Sequence, residues 1–217
     1  MNNERRFLSA FFTWMRKEKL IGDNPVEATD PLKAIRKPID YFKPEEMAKM
    51  RDACKNLRER ALIEVLRSTG ARVGELVDIT LDQIDWSTGD IMIQGEKNDS
   101  YEPIFLDAEA RYYYRQYLDF RRDDSPYMFP QCKAPHEKMS TSGIRSILKT
   151  IGNRAKLKCR VYPHKLRKTL GMNLKNKGVD IGTIQEILRH ASPSVTAIYY
   201  AQSIPNTLRS VRERCPA

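Results

Sequence analysis

"QIDWSTGDIMIQGEKNDSYEPIFLD", residues 83–107, breaks the pattern of the chain on either side of it. Two short runs inside it, "DIMIQ" (90–94) and "EPIFL" (102–106), favour extended backbone and are separated by turn-forming residues, which predicts a small antiparallel sheet. Outside this stretch the apolar residues recur at helical spacing. Upstream, Lys43, Pro44 and Glu45 are good helix-start chemistry, and Met47, Met50, Cys54 and Leu57 follow on one face. A second helix is expected over 58–68, stopped near Gly70, after which "ARVGELVDIT" (71–80) resumes helical character. Downstream the pattern is helical to the end. Asp107, Thr141 or Ser142, Asp180 and Ser192 are candidate N-caps, Gly178 a C-terminal stop, and Pro193 suits a first helical turn. The expected fold class is mainly α with one small antiparallel β-sheet.

At the start of the chain, "RRFLSAFFTWMRKEKL" (5–20) places Phe7, Leu8, Phe11, Phe12, Met15 and Leu20 at roughly helical spacing, an amphipathic helix standing alone. "GDNPVEATDPLKAIRKPIDYFKP" (22–44) then carries four prolines and a glycine and reads as a linker. The organisation expected is a terminal helix over 1–22, a linker over 23–43 and a main domain over 44–217. The lone helix has the character of the tail of a larger unit. Neither an internal repeat nor a low-complexity tract is present.

With 41% hydrophobic residues in 217, the chain has apolar material for one good core and a small appendage. No apolar run approaches the roughly 18–20 residues that span a bilayer, and the N-terminus lacks a signal-peptide core, so a soluble, cytoplasmic protein without a membrane partner is expected. Cys54, Cys132, Cys159 and Cys215 are far apart, with no C-x-x-C pair and no histidine at zinc-ligand spacing; reduced structural thiols are expected, and no metal. The formal net charge of +10 points to an anionic partner, of which nucleic acid is the commonest. Between Glu137 and Asp180 twelve lysines and arginines occur without one Asp or Glu. A solvated helix normally mixes signs, because like charges at i,i+4 repel. This segment is therefore expected to face phosphates, although Ile144, Ile147, Leu148 and Ile151 show that one of its faces is buried.

Three elements carry candidate chemistry. In "VYPHKLRKTLGMNLKNKG" (161–178), a helix beginning near Pro163 places His164 and Arg167 at i,i+3. The imidazole can exchange a proton near neutrality and the guanidinium offers a rigid fork for phosphate oxygens, a pair suited to a phosphodiester. In "STGARVGELVDIT" (68–80), Arg72 follows a Thr-Gly turn at a helix start, where backbone N–H groups favour an anion, and Glu75 lies one turn on. In "EILRHASPSVTAIYYAQS" (186–203), His190 ends an apolar helix, and a second, capped helix carries Tyr199 and Tyr200. Each element alone is ordinary: H-x-x-R recurs by chance, Arg72 and Glu75 could be a surface pair worth tenths of a kcal/mol, and a tyrosine on a helix is usually a core aromatic.

In this order, "TGARVGEL", "GEKNDSYEPIFL", "HKLR", "LRH" and "IYY" resemble the signature of the tyrosine recombinase (phage integrase) family, and the likeness extends over 43–203. The resemblance implies a tyrosine recombinase catalytic-domain fold, with residues 1–22 as the last helix of a core-binding domain. It implies a site-specific recombinase that cleaves and rejoins double-stranded DNA through a 3′-phosphotyrosyl intermediate, without metal, ATP or other cofactor, with the full-length protein acting as a homo-tetramer on paired sites. Type IB topoisomerase-like relaxation and a non-catalytic DNA-binding module are the alternatives. Carried over by motif, Tyr199, nine positions after His190, is the nucleophile, with Tyr200 as its neighbouring rival. Arg72 and Arg167 clamp the scissile phosphate, His164 assists proton removal from the tyrosine or hydrogen-bonds the phosphate, and His190 donates a further hydrogen bond. Lys97 protonates the departing 5′ oxygen, and Glu75 supports Arg72 or a neighbouring histidine. Two positions depart from the pattern. Glu96 stands where the family's hairpin lysine often follows the glycine, leaving Lys97 one place on, and Arg189 stands where the family often has glycine, with a phosphate contact as its expected role.

Overall fold

A helix buried on every side organises the larger part of the molecule. In the computed structural model, residues 2–30, 39–94 and 101–189 are described, and they fall into two compact units, Met1–Pro38 and Ile39–Ala217. In the second unit, helix α3 (Leu57–Thr69) buries Ala61, Leu62, Ile63, Glu64, Val65 and Leu66 in succession. A helix so enclosed needs partners all round. They are α5 (Ala108–Phe120), α6 (Thr141–Arg154), α7 (Pro163–Asn176) and strand β2 (Tyr101–Phe105).

The first unit is helix α1 (Asn2–Lys17) with the chain folded back along it. Asn24 is buried: its amide donates to the Ser9 carbonyl and to Thr13 Oγ1, both at 3.1 Å, and its Oδ1 accepts from the Val26 N–H at 3.0 Å. Arg5 adds hydrogen bonds to Val26 and Thr29, and Arg16 pairs with Glu27 at 3.1 Å. Phe7, Leu8, Phe11 and Trp14 on α1 are exposed.

In the second unit, helix α2 (Pro44–Asp52) begins with Pro44 in its first turn, and Glu46 accepts from the Lys43 N–H at 2.9 Å. Asn56 caps α3, and Gly70, in the left-handed region, ends it. Short helix α4 (Val73–Asp78) follows, then a 3₁₀ turn (Leu81–Gln83). Strand β1 (Asp90–Gln94) pairs antiparallel with β2, Ile91 opposite Ile104 and Ile93 opposite Glu102, so alternate residues enter the core. The fold is mainly α-helical with one small antiparallel sheet, as the break at 83–107 predicts. Asp107 and Asp180 cap α5 and α8 (Ile181–Leu188). The N-cap of α6 is Ser140, which accepts from the Gly143 N–H at 3.1 Å, in place of the expected Thr141 or Ser142. Ser192 and Pro193 lie outside the described residues.

Tyr114, Tyr117, Phe129, Ile144, Leu148 and Leu166 complete the main core around α3, with Met172, Ile184 and Leu188 in a smaller cluster between α7 and α8, and the Tyr114 hydroxyl donates to the Met128 carbonyl at 2.7 Å. Phe42 is buried in the main core too, and its N–H donates to Thr169 Oγ1 at 2.9 Å, so the segment leading into α2 is fastened to α7. Among the described residues, no helix is long and apolar enough to cross a membrane.

Candidate active site

The turn joining α3 to α4 has little freedom. The Thr69 hydroxyl donates to the Val65 carbonyl at 2.7 Å and accepts from the Ala71 N–H at 3.1 Å, shaping the chain just past the helix end. Gly70 has φ +57°, and a Cβ there would sit 2.8 Å from Leu170 Cδ2 on α7. Only glycine suits both demands. Because the turn lies so close to α7, the Gly70 carbonyl accepts from Arg167 Nη1 at 2.6 Å. Arg167 is consequently buried, with its guanidinium held against the turn that leads to Arg72.

Arg72 is the residue before the first turn of α4. Glu75 accepts from the Arg72 main-chain N–H with Oε2 and from Arg72 Nη1 with Oε1, both at 2.7 Å. The expected i,i+3 pair is therefore more than a surface contact: the Glu75 side chain is 6% exposed, whereas a third of the Arg72 side chain stays open to solvent. Arg72 Nη2 reaches across to the Arg189 carbonyl at 2.9 Å.

Arg189 corrects an expectation. It ends α8 in the left-handed region, φ +49° and ψ +53°, a conformation that favours the glycine of the family pattern. Its side chain does not reach outward for a phosphate. It is 5% exposed, donates from Nη2 to Glu75 Oε2 at 2.7 Å, and brings Nη1 to 3.9 Å from Glu102 Oε2 on β2. Burial works to raise the Glu75 pKa, but the hydrogen bonds from Arg189 and Arg72 outweigh it and hold the carboxyl below its usual value.

His164 lies on the first turn of α7, exposed, one turn before Arg167. Partial burial of the ring, followed by the charges of Lys168, Arg167 and Arg72, holds its pKa below the ordinary imidazole value. Near neutral pH the ring is therefore uncharged and able to accept a proton, within reach of the fields of both arginines. The structure thus brings together Arg72, Glu75, His164 and Arg167 from two segments almost a hundred residues apart. Lys97, His190, Tyr199 and Tyr200 lie outside the described residues.

The acid-free run needs a second correction. Its charge is partly neutralised by carboxylates from distant sequence: Lys138 pairs with Asp78 at 2.6 Å, Arg154 with Glu59 at 2.5 Å and Lys165 with Asp40 at 2.6 Å. Lys165 is itself buried, with its ammonium 4.5 Å from the centre of the Phe42 ring. A deficit of acids along the chain is not a deficit in space. Among the described residues no group of three His, Cys, Asp or Glu side chains could hold a metal ion.

A model of the phage integrase family matches residues 40–204. The chain belongs to that family. It is a tyrosine recombinase catalytic domain, and its relatives share it over most of its length. Tyrosine recombinase XerC of Listeria welshimeri is 33% identical over 208 residues, which cover 88% of this chain and 67% of that protein. XerC of Oceanobacillus iheyensis is 31% identical over 204 residues, covering 88% and 66%. The recombinase chain thus spans about two thirds of the length of these relatives. The crystal structure of XerA recombinase superposes with a TM-score of 0.72 at 26% identity, over 97% of this chain and 74% of that one. The Tn1549 transposon integrase, solved with a circular intermediate DNA, has the same fold with a TM-score of 0.80 at 20% identity, over 99% of this chain and 78% of that one.

Proposed function

We propose that this recombinase cleaves and rejoins double-stranded DNA at specific sites through a 3′-phosphotyrosyl intermediate on Tyr199, without metal or ATP. The observation that supports it most is the convergence of Arg72 and Arg167 on one turn, beside an imidazole whose pKa is held low. Two guanidiniums suit the non-bridging oxygens of one phosphate and offset the charge that builds as phosphorus becomes pentacoordinate. Their positions are set before substrate arrives, Arg167 by the Gly70 carbonyl and Arg72 by Glu75.

In this reading the Tyr199 oxygen attacks phosphorus while its proton passes to His164, and the bond from phosphorus to the 5′ oxygen breaks. Lys97 gives the leaving oxygen a proton, and His190 donates a hydrogen bond to the phosphate. A 5′-hydroxyl from a second duplex then attacks the phosphotyrosyl ester, so the bond energy is conserved in strand exchange. A phenol with an ordinary pKa near 10 gains from cationic surroundings that favour its phenolate. Residues 1–22 serve as the last helix of a core-binding domain, 23–43 as the linker and 44–217 as the catalytic domain, and four such subunits assemble on paired sites.

The test is covalent capture. Nicked suicide duplexes with a randomised core, from which the released fragment diffuses away, are incubated with the chain in chelator, and adducts are separated on denaturing gels and mapped by peptide. An adduct on Tyr199 that is lost in Tyr199→Phe is expected. An adduct on Tyr200, or one that requires a divalent ion, overturns the assignment. Plasmid relaxation without sequence preference would move the reading toward a topoisomerase.

A further inference from the structure

We infer that Arg189 is a positioning residue that holds Arg72 in its phosphate-facing pose, through Glu75 with its guanidinium and through its own carbonyl directly. The inference rests on the recombinase reading for the identity of the anion, but its geometry stands independently. Arg72, Glu75 and Arg189 close a ring: Arg72 Nη1 to Glu75 Oε1 at 2.7 Å, Glu75 Oε2 to Arg189 Nη2 at 2.7 Å, and the Arg189 carbonyl back to Arg72 Nη2 at 2.9 Å. Two edges of the Arg72 fork are thereby fixed by acceptors of which Arg189 supplies one and braces the other.

The choice of residue is informative. The backbone at 189 is left-handed, where glycine would be unstrained and any other residue is costly. An arginine contributes nothing to that backbone turn that glycine lacks; what it adds is a buried guanidinium on Glu75. Were Glu75 left to Arg72 alone, its full negative charge would fall on the arginine meant for an external anion. With Arg189 sharing the carboxylate, Arg72 no longer bears the whole of its negative charge. The same guanidinium lies 3.9 Å from Glu102, on the strand that follows the segment bearing Lys97, so it also connects this ring to the hairpin.

The experiment uses the 217-residue chain and inorganic phosphate as the probe, with the His164 ring followed by NMR and assigned through His164→Gln. Arg189→Gly keeps the left-handed turn and the carbonyl but removes the guanidinium. It is expected to stay folded, to weaken phosphate binding roughly tenfold, the scale of losing one charge-assisted contact, and to raise the His164 pKa as Arg72 leaves the pose from which its charge acts on the ring. Arg189→Lys, which restores the charge without the fork, is expected to lie between. An unchanged phosphate affinity and an unchanged His164 pKa in Arg189→Gly overturn the inference; should that variant not fold, wild-type values in Arg189→Lys do the same. A wild-type His164 that ignores phosphate would instead count against the anion-site reading, and the His164 pKa without phosphate would still decide the role of Arg189.

Discussion

Glu64 and Glu75 both gather arginines, and they are used in opposite ways. Glu64, in the middle of α3 and fully buried, receives Arg51 at 2.7 Å, Arg60 at 2.9 Å and Arg67 at 2.6 Å. Those arginines are occupied on their outer sides as well, by Asp107 and Glu109, and Arg60 lies 4.1 Å from the centre of the Tyr113 ring. Glu75 receives Arg72 and Arg189, and there a third of the Arg72 side chain is exposed to solvent. In the first group the charges are consumed in joining α2, α3 and α5. In the second they are arranged so that one guanidinium is steadied and still offered outward. The difference is geometric, since both groups have the same chemistry; what separates them is the outer acids that meet the arginines of the first and the solvent exposure of Arg72 in the second.

Breaking the closed cluster should have the largest effect. Glu64→Ala leaves three cations in or near the core with only the outer acids for company. A loss of about 3–5 kcal/mol is expected, as for a buried pair that loses one partner. Asp107 and Glu109 should keep it at the lower end of that range. Urea denaturation would read it, and activity should fall only in proportion to the fraction unfolded. A loss below about 1 kcal/mol would mean that the arginines relax to solvent and that the cluster holds the helices together far less than its geometry indicates.

The open cluster should show the reverse pattern. Arg72→Ala is expected to slow formation of the covalent DNA adduct by about 10²–10³-fold, the scale for removing one preorganised donor to transition-state charge. Its denaturation midpoint should change much less than that of Glu64→Ala. If instead Arg72→Ala destabilised the fold as strongly as Glu64→Ala while sparing adduct formation, the two clusters would be of one kind.

Which of these clusters a given arginine belongs to was not legible along the chain. Arg60 and Arg67 in "LRERALIEVLRST" look no different from Arg72 in "TGARVGEL". Their partners are assigned by the way α3 and α5 pack, which no local pattern encodes. The same holds for Lys165, whose partner Asp40 lies 125 residues away. What could be read was local: the antiparallel pair from its two β-favouring runs, the caps at Asp107 and Asp180, and the helix stop at Gly70, because each depends on a few neighbouring residues. Glu75 and Arg72 were legible as a pair because i,i+3 spacing on a helix already brings them together. The role of Arg189 was not, because it depends on where the end of α8 lands relative to α4.

Gly70 joins the two halves of the open site, and Gly70→Ala is expected to have an intermediate effect. The methyl would meet Leu170 at 2.8 Å with φ at +57°, which costs about 1–2 kcal/mol of strain for a residue with a Cβ. Because the Gly70 carbonyl holds Arg167, that strain should also appear in the site. Adduct formation should drop beyond what the stability loss explains, whereas a variant of equal instability elsewhere in α3 should not show this excess. Equal activity at equal stability would separate the turn from the site.

The smallest expected effect lies in pH. The His164 pKa is lowered in the fold by partial burial and by Lys168, Arg167 and Arg72, from an ordinary value of 6.5. Over the interval below that value, the unfolded chain takes up a proton that the folded chain resists, so stability falls as pH falls through it. Above it the ring is neutral in both states and contributes no pH dependence. His164 belongs to the open site, so this slope is expected to come from there. His164→Gln is therefore expected to flatten the dependence of the melting midpoint between about pH 7.5 and 5.5, measured at low salt, where neighbouring charges are least screened. Inorganic phosphate should flatten the wild-type curve in part, because an anion between the arginines cancels their share of the field that opposes protonation and leaves the share due to burial. A wild-type slope that phosphate leaves unchanged would mean that burial, and not the two guanidiniums, sets the state of the ring, and the open cluster would then differ from the closed one in exposure alone.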